Sequence, residues 1–175
     1  MTQVGVFRNR SHTRMAGTVT FRLGQPTDRK PPFKFSAFAR VGFSDTDAQG
    51  IVYYGRYLPY FDLARVEYER HLGLLRKEAV GKDFVMRASS VVYEAPARFD
   101  DMLEVFVRTK RLGVTSICYE LCVYRVDDDV LMCTAEQTMV LVAVPERRPT
   151  PISGAYRRAV ADFEGTDVEQ AVPVE

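Results

Sequence analysis

The chain has 175 residues, of which 46% are hydrophobic, enough for one domain with a packed core. Its 24 basic and 23 acidic residues leave a net charge of +1, which favours neither a nucleic-acid partner nor a membrane surface. The longest wholly aliphatic run, 139–144, is too short to span a bilayer, so no membrane span is expected. Three cysteines without CxxC spacing indicate a reduced, cytoplasmic protein.

The N-terminal segment is strongly basic. Up to residue 40 it holds a single acidic residue, Asp28, against eight basic ones: Arg8, Arg10, Arg14, Arg22, Arg29, Lys30, Lys34 and Arg40. An organelle-targeting segment or an arm for nucleic acid would have this composition, but blocks of like charge are more often solvated extensions. We therefore predict a flexible extension over 1–32, a single folded domain over 33–165 and a C-terminal tail over 166–175.

The first predicted strand covers 33–43, where apolar and polar side chains alternate. A helix follows, because apolar residues recur at helical spacing from Leu58 to Leu72, and Gly73 stands where a helix-ending glycine is expected. Pro59 is tolerated if it lies in the first turn, where the backbone N–H that it lacks needs no partner.

Only strands follow until the C-terminal region, and they are predicted over 84–94, 102–111, 114–126 and 130–144. The last three are joined by short connections and are therefore antiparallel. A final helix is predicted over 151–163, with Thr150 as its N-cap, Pro151 as its first residue and Gly165 beyond its end. This order predicts an α+β fold in which a curved antiparallel sheet wraps around one long helix.

Two aspartates stand just before the first helix, in the stretch FSDTDAQGIVYYGRY over 43–57. Such a carboxylate fits two roles, a polar turn residue or a reactive group beside the free N–H groups of a helix start. The stretch resembles the signature of the 4-hydroxybenzoyl-CoA thioesterase family of hotdog-fold acyl-CoA thioesterases. A second stretch, YEAPARFDD over 93–101, resembles a strand-to-strand corner of that family. The resemblance implies a single hotdog domain that hydrolyses an acyl-CoA thioester to free acid and CoA.

The resemblance also assigns roles to individual residues. Asp47 is the expected catalytic carboxylate, acting as a nucleophile through a mixed anhydride or as a general base for water. The backbone N–H of Tyr54, at the positive end of the helix, is expected to hold the thioester oxygen. The other expected substrate contacts are Gly50, Val52, Tyr53, Gly55 and Arg56, with Lys110 and Arg111 as candidates for the CoA phosphates. No metal and no cofactor is implied, because CoA is part of the substrate.

Several nearby residues are predicted to be structural. Asp45 is expected to bond local N–H groups in a turn, and the rings of Tyr53 and Tyr54 are expected to lie in the core. A sister branch of hotdog thioesterases keeps its catalytic acid on the helix, where Asp62 and Glu67 stand. We assign both to the solvated face of an amphipathic helix.

Other functions and the assembly state complete the predictions. A hotdog dehydratase or hydratase would lack a motif histidine to pair with the carboxylate. A non-catalytic module that binds acyl-CoA or acyl carrier protein would use the same groove, and the presence of Asp47 favours the enzyme. A nucleic-acid role would rest on the N-terminal segment alone, and none is predicted. The resemblance implies a homodimer or homotetramer. A sheet that ends in long apolar strands, of which 130–144 is the longest, is also expected to leave edges and a face that one subunit cannot cover.

Overall fold

One sheet curves around one long helix in the computed structural model, which describes residues 23–75, 81–144 and 146–171. Within these residues the strands are β1 (Gly24–Pro26), β2 (Phe35–Arg40), β3 (Lys82–Tyr93), β4 (Met102–Leu112), β5 (Ser116–Arg125), β6 (Leu131–Ala143), β7 (Arg148–Pro149) and β8 (Glu169–Gln170). The helices are α1 (Tyr57–His71) and α2 (Gly154–Glu164), and neither is long and apolar enough to cross a membrane.

The strand order along the sheet is β1-β2-β4-β5-β6-β3, and all neighbours on this path are antiparallel. Two short strands lie off the path: β7 pairs with β6, and β8 pairs in parallel with the end of β4. The predicted α+β architecture, a curved antiparallel sheet around one long helix, is confirmed.

Helix α1 packs an aromatic face against the sheet. Its buried apolar side chains recur at helical spacing: Tyr57, Tyr60, Phe61, Ala64 and Tyr68. Burying one such aromatic ring contributes on the order of 2 kcal/mol. Pro59 is the third residue of α1 and therefore lies in the first turn, as predicted. Gly73 lies just beyond the helix with a φ of 66°, a left-handed conformation that favours glycine.

The first long strand is shorter than predicted. β2 ends at Arg40, because the chain then enters a 3₁₀ turn over Phe43–Asp45. The Gly42 N–H donates to the carboxylate of Asp45 at 2.9 Å, which stabilises the turn in place of strand pairing.

The final helix has a different N-cap from the one predicted. The Ser153 hydroxyl oxygen accepts a hydrogen bond from the Tyr156 N–H at 3.2 Å, so α2 begins at Gly154. Thr150 lies too early in the chain to cap α2, because its N–H still donates to the Leu141 carbonyl at 2.9 Å. The pairing of β7 with β6 therefore holds residue 150 against the sheet.

Strand pairing extends beyond both predicted domain limits. β1 lies before Pro31-Pro32 and pairs with β2, so the predicted boundary would separate two neighbouring strands. In the same segment, Arg29 forms an ion pair with Glu104, whose side chain is almost fully buried. β8 lies beyond residue 165 and pairs with β4. The sheet of the described residues thus includes short strands on both sides of the predicted limits of 33 and 165.

β3 is the long strand at the edge of the sheet. Among the described residues it pairs with β6 on one side only, and most of its residues are exposed. Exposed apolar side chains on it include Val85, Met86, Val92 and Tyr93. The longest strand, predicted over 130–144, is an inner strand, because β3 pairs outside β6.

Candidate active site

Asp45 connects the loop before α1 to the helix itself. Its carboxylate accepts hydrogen bonds from the Gly42 N–H at 2.9 Å and from the Tyr60 hydroxyl at 2.7 Å. Burial, followed by the hydrogen bond to Asp45, raises the pKa of Tyr60, so this tyrosine stays a neutral donor at physiological pH. Arg56 adds a contact of 3.5 Å to the other carboxylate oxygen. The predicted structural role of Asp45 is confirmed.

Asp47 lies in a tight turn two residues further on. One carboxylate oxygen, Oδ1, accepts the Gln49 N–H at 2.8 Å, and the Gly50 N–H donates to the Asp47 carbonyl at 3.0 Å. Gly50 has a φ of 73°, so the turn requires the conformational freedom of glycine. The second carboxylate oxygen has no hydrogen-bond partner in the part of the chain that the structure describes. Asp47 is therefore fixed through one oxygen, while the other is available for chemistry.

The helix start that follows offers a backbone donor. A 3₁₀ turn over Tyr54–Arg56 leads directly into α1, and the first N–H groups of such a turn are not used by its own hydrogen bonds. The Tyr53 N–H donates to the Asp45 carbonyl at 2.9 Å, which leaves the Tyr54 N–H as the next donor along the chain. On the carbonyl side of Tyr54, the hydroxyl of Tyr93 donates at 3.0 Å and links the helix start to the end of β3.

The rings of Tyr53 and Tyr54 are not core aromatics, and that prediction is wrong. Their side chains stack on each other with centroids 4.2 Å apart, and the residues are 43% and 62% exposed. The sharp 3₁₀ turn explains this, because it directs both rings outward before α1 begins to pack. A Cβ at Gly55 would lie 3.0 Å from the Tyr53 ring, so glycine here makes room for that ring.

A cleft of roughly 350 Å³ brings the loop, the helix start and the end of β3 together. It is lined by Asp47, Gln49, Ile51, Val52, Tyr54, Tyr57, Tyr93, Glu94, Ala95 and Pro96. Of the predicted site residues, Asp47, Val52 and Tyr54 thus share one cleft. The wall formed by Tyr93 to Pro96 was not assigned to the site from the sequence, although these residues begin the second family-like stretch.

Backbone pairing holds the two walls of the cleft together. The Val52 N–H donates to the Ala97 carbonyl at 2.8 Å, and Ile51 forms an isolated bridge with Arg98. Between the walls, burial raises the pKa of Tyr57 to about 12, so its hydroxyl stays neutral. The cleft therefore presents a carboxylate and a neutral tyrosine hydroxyl beside a helix start.

Lys110 and Arg111 lie far from this cleft within one chain. β4 begins at Met102, next to the corner that pairs with the Asp47 loop, and Lys110 follows eight residues later. That separation is roughly 26 Å at the spacing of an extended strand. Lys110 forms an ion pair of 2.5 Å with Glu136 on β6, two strands away in the sheet. The structure does not bring these two basic residues together with Asp47.

Comparison with known proteins identifies the family of this arrangement. A family model of the thioesterase-like superfamily matches residues 41–160, which include both the loop with Asp47 and the corner after β3. The chain belongs to this superfamily. The match confirms the family predicted from the motif.

Individual relatives of this thioesterase-like chain agree with the assignment. Over 127 residues it is 32% identical to the acyl-CoA thioester hydrolase YbgC of Escherichia coli, covering 71% of this chain and 92% of the relative. It is 26% identical over 137 residues to a 1,4-dihydroxy-2-naphthoyl-CoA hydrolase of Synechocystis, covering 74% and 96%. The crystal structure of the Synechocystis protein Slr0204, a 1,4-dihydroxy-2-naphthoyl-CoA thioesterase, shares the fold with a TM-score of 0.68 at 23% identity, covering 74% and 96%.

The side chain of Arg56 contacts the loop before α1. Its guanidinium donates to the Ser44 carbonyl at 3.0 Å and contacts the Asp45 carboxylate. These contacts hold the loop against the helix start, and Arg56 is not among the residues that line the cleft. Gly50 and Gly55 likewise shape the backbone without lining the cleft.

Proposed function

We propose that the protein hydrolyses acyl-CoA thioesters to the free acid and CoA. The observation that carries this proposal is that Asp47 and the N-terminal end of α1 line the same cleft, and that one Asp47 carboxylate oxygen has no partner among the described residues. A carboxylate supplies the attack on a thioester carbonyl, and a helix start supplies positive potential for the oxygen that becomes negative. Relatives named as acyl-CoA thioester hydrolases support the same reaction.

Two routes use the same groups. In the first, Asp47 attacks the carbonyl carbon, the CoA sulfur leaves and takes up a proton, and water then hydrolyses the mixed anhydride. In the second, Asp47 removes a proton from a water molecule, which attacks the carbonyl directly and expels the CoA thiol. In both routes the Tyr54 N–H donates to the carbonyl oxygen as negative charge develops on it. The Tyr93 hydroxyl, bonded to the Tyr54 carbonyl, holds that turn in place.

A panel of acyl-CoAs tests the proposal. Aromatic, short-chain and long-chain acyl-CoAs are incubated with the protein, and the released CoA thiol is trapped by a chromogenic reagent. We expect thiol release to depend on enzyme concentration and to saturate with at least one substrate class. An acyl carrier protein presents an equivalent thioester, so acyl-loaded carrier protein belongs in the panel. Tight binding without thiol release would favour the non-catalytic binding module instead.

We propose that two copies pair along β3 to form a dimer, and that dimers combine into a tetramer. The exposed apolar side chains Val85, Met86 and Val92 on this edge support the proposal, because unpaired edges of this kind are usually covered. Antiparallel pairing would also bring the partner's β3 near the cleft at Tyr93. Light scattering at micromolar concentration is expected to give at least twice the chain mass of 19.9 kDa. A mass of one chain would contradict this assembly.

A reducing, cytoplasmic location also belongs to the proposal. All three cysteines lie within the described residues, and all are buried, free thiols. Burial raises the pKa of Cys122 and Cys133 to about 12, so neither is poised to act as a nucleophile. These properties support a structural role for the cysteines in the core.

A further inference from the structure

A row of polar side chains crosses the helix-facing side of the sheet. Strand register places Thr109, Tyr119, Gln137 and Ser89 directly opposite one another on β4, β5, β6 and β3. We call these four residues the polar row. It ends at Ser89, which is exposed on the open edge of the sheet.

Apolar rows flank the polar row on both sides. Towards the cleft, the next side chains on this face are Val107, Leu121, Ala135 and Val91. Beyond them, the row that contains Tyr93 reaches the cleft itself. Ser89 lies four residues before Tyr93 on β3, about 13 Å at strand spacing. The helix-facing side of β3 between the cleft and Ser89 therefore has an apolar middle and a polar end.

Helix α1 satisfies the buried half of the polar row. The hydroxyls of Tyr68 and Thr109 lie 3.1 Å apart, and the Tyr119 hydroxyl donates to Glu69 at 2.9 Å. Arg65 donates to the same Glu69 carboxylate at 3.1 Å. A polar network of this kind inside a core is costly unless its members are bonded. In this half of the row the hydroxyls have partners.

The half of the row near the edge is less completely satisfied. Gln137 is only 1% exposed; its Nε2 donates to the Ser89 hydroxyl oxygen at 3.4 Å, while its Oε1 has no partner among the described residues. Ser89 accepts this bond, which leaves its own O–H free to donate. The polar row thus ends in an accessible hydroxyl with an unused acceptor on the amide behind it.

We infer that Ser89, positioned by Gln137, forms a specificity subsite for acyl groups that carry a hydrogen-bonding substituent, such as a hydroxyl, at their far end. This inference rests on the proposed thioesterase function. With the thioester carbonyl at the cleft, the body of the acyl group runs along the partly buried Val91 of β3, and its far end reaches Ser89. A plain hydrocarbon end would cover the Ser89 hydroxyl without replacing its hydrogen bond to water, so such acyl groups are disfavoured.

Matched pairs of acyl-CoAs test this subsite. Each pair consists of an acyl-CoA with a terminal hydroxyl and its analogue without one, in aromatic and in aliphatic form. The wild-type protein is expected to favour the hydroxylated member of the best pair roughly tenfold or more in kcat/KM, the effect of about one good hydrogen bond. Ser89→Ala is expected to bring this ratio close to one, by slowing the hydroxylated member and speeding the plain member, whose end no longer covers an unsatisfied hydroxyl.

Two further variants sharpen the experiment. Gln137→Leu removes the group that positions Ser89 and is expected to lower the same ratio, with thermal unfolding used to verify that the variant is folded. Ser90→Ala is the matched control, because Ser90 is the next residue of β3 and points to the opposite side of the sheet. Its ratio is expected to stay at the wild-type value.

An unchanged ratio in Ser89→Ala, or a wild-type preference for plain acyl groups, would overturn the subsite. Failure to hydrolyse any acyl-CoA would overturn the proposed function, and the subsite with it.

Discussion

Replacing Asp47 by asparagine is expected to lower kcat by about 10² to 10⁴, the range for loss of a general acid or base, and by more if Asp47 is the nucleophile. The fold should be unaffected, because an asparagine Oδ1 can still accept the Gln49 N–H that Asp47 accepts at 2.8 Å. Steady-state thiol release measures the first effect, and thermal unfolding measures the second. Turnover near the wild-type value would remove Asp47 from the mechanism.

Asp45 supplies the matched control, because it stands two residues away and is also a carboxylate. Asp45→Asn loses the charge that contacts Arg56 and weakens the bonds to the Gly42 N–H and the Tyr60 hydroxyl. We expect this variant to lose about 1–2 kcal/mol of stability, from one or two partly buried hydrogen bonds, and to lose much less of kcat than Asp47→Asn. If Asp45→Asn lost more of kcat while remaining folded, the roles of the two aspartates would be reversed.

Local chemistry made one side of the candidate site predictable from the sequence. Asp47, Gly50 and the helix start are close in the chain, so turn geometry and helix capping decide their arrangement with little help from the rest of the fold. The exposure of Tyr53 and Tyr54 was missed, because a 3₁₀ turn and the first turn of an α-helix share one sequence pattern and direct side chains differently.

Features that depend on strand order were not predictable in the same way. Sequential strands suggested that 130–144 ends the sheet, whereas β3 crosses over and pairs outside β6. That placement puts Tyr93 against the helix start and leaves Ser89 on the edge strand. Lys110 shows the converse: the alternating pattern identified its strand correctly, but only the register shows that it lies at the far end from Asp47.

Starting the chain at Pro31 is expected to lower the free energy of unfolding by about 3 kcal/mol, whereas starting it at Leu23 retains β1 and the Arg29–Glu104 ion pair. The sequence alone predicted that a chain beginning near Pro31 would behave like the full chain. The structure changes that expectation, because β1 pairs with β2 and the Leu23 carbonyl accepts the Phe38 N–H at 2.8 Å. The ring of Phe35 also packs directly on Gly24, where a Cβ would lie only 2.6 Å from it.

The largest part of the expected loss comes from Glu104. Its residue is 1% exposed, and its carboxylate bonds the Ser36 hydroxyl at 2.7 Å and forms an ion pair with Arg29. Removing one partner of a buried ion pair costs about 3–5 kcal/mol, because a buried charge is left uncompensated. Arg29 is itself about half exposed, so the lower end of this range applies.

Chemical denaturation of three proteins separates these contributions. The chain from Leu23 is compared with the chain from Pro31, and Arg29→Gln in the full chain isolates the ion pair from the loss of β1. We expect Arg29→Gln to account for most of the difference in stability. Turnover per folded molecule should be retained in all three, since none of the described residues from 23 to 30 lines the Asp47 cleft. Measuring kcat/KM at low and moderate salt adds a control, because a basic segment that steered the phosphate-bearing CoA would show a loss on truncation that shrinks as salt rises. Equal stability of the chains from Leu23 and Pro31 would mean that β1 and the Arg29–Glu104 pair contribute nothing to the fold, and the narrower domain limit would then hold.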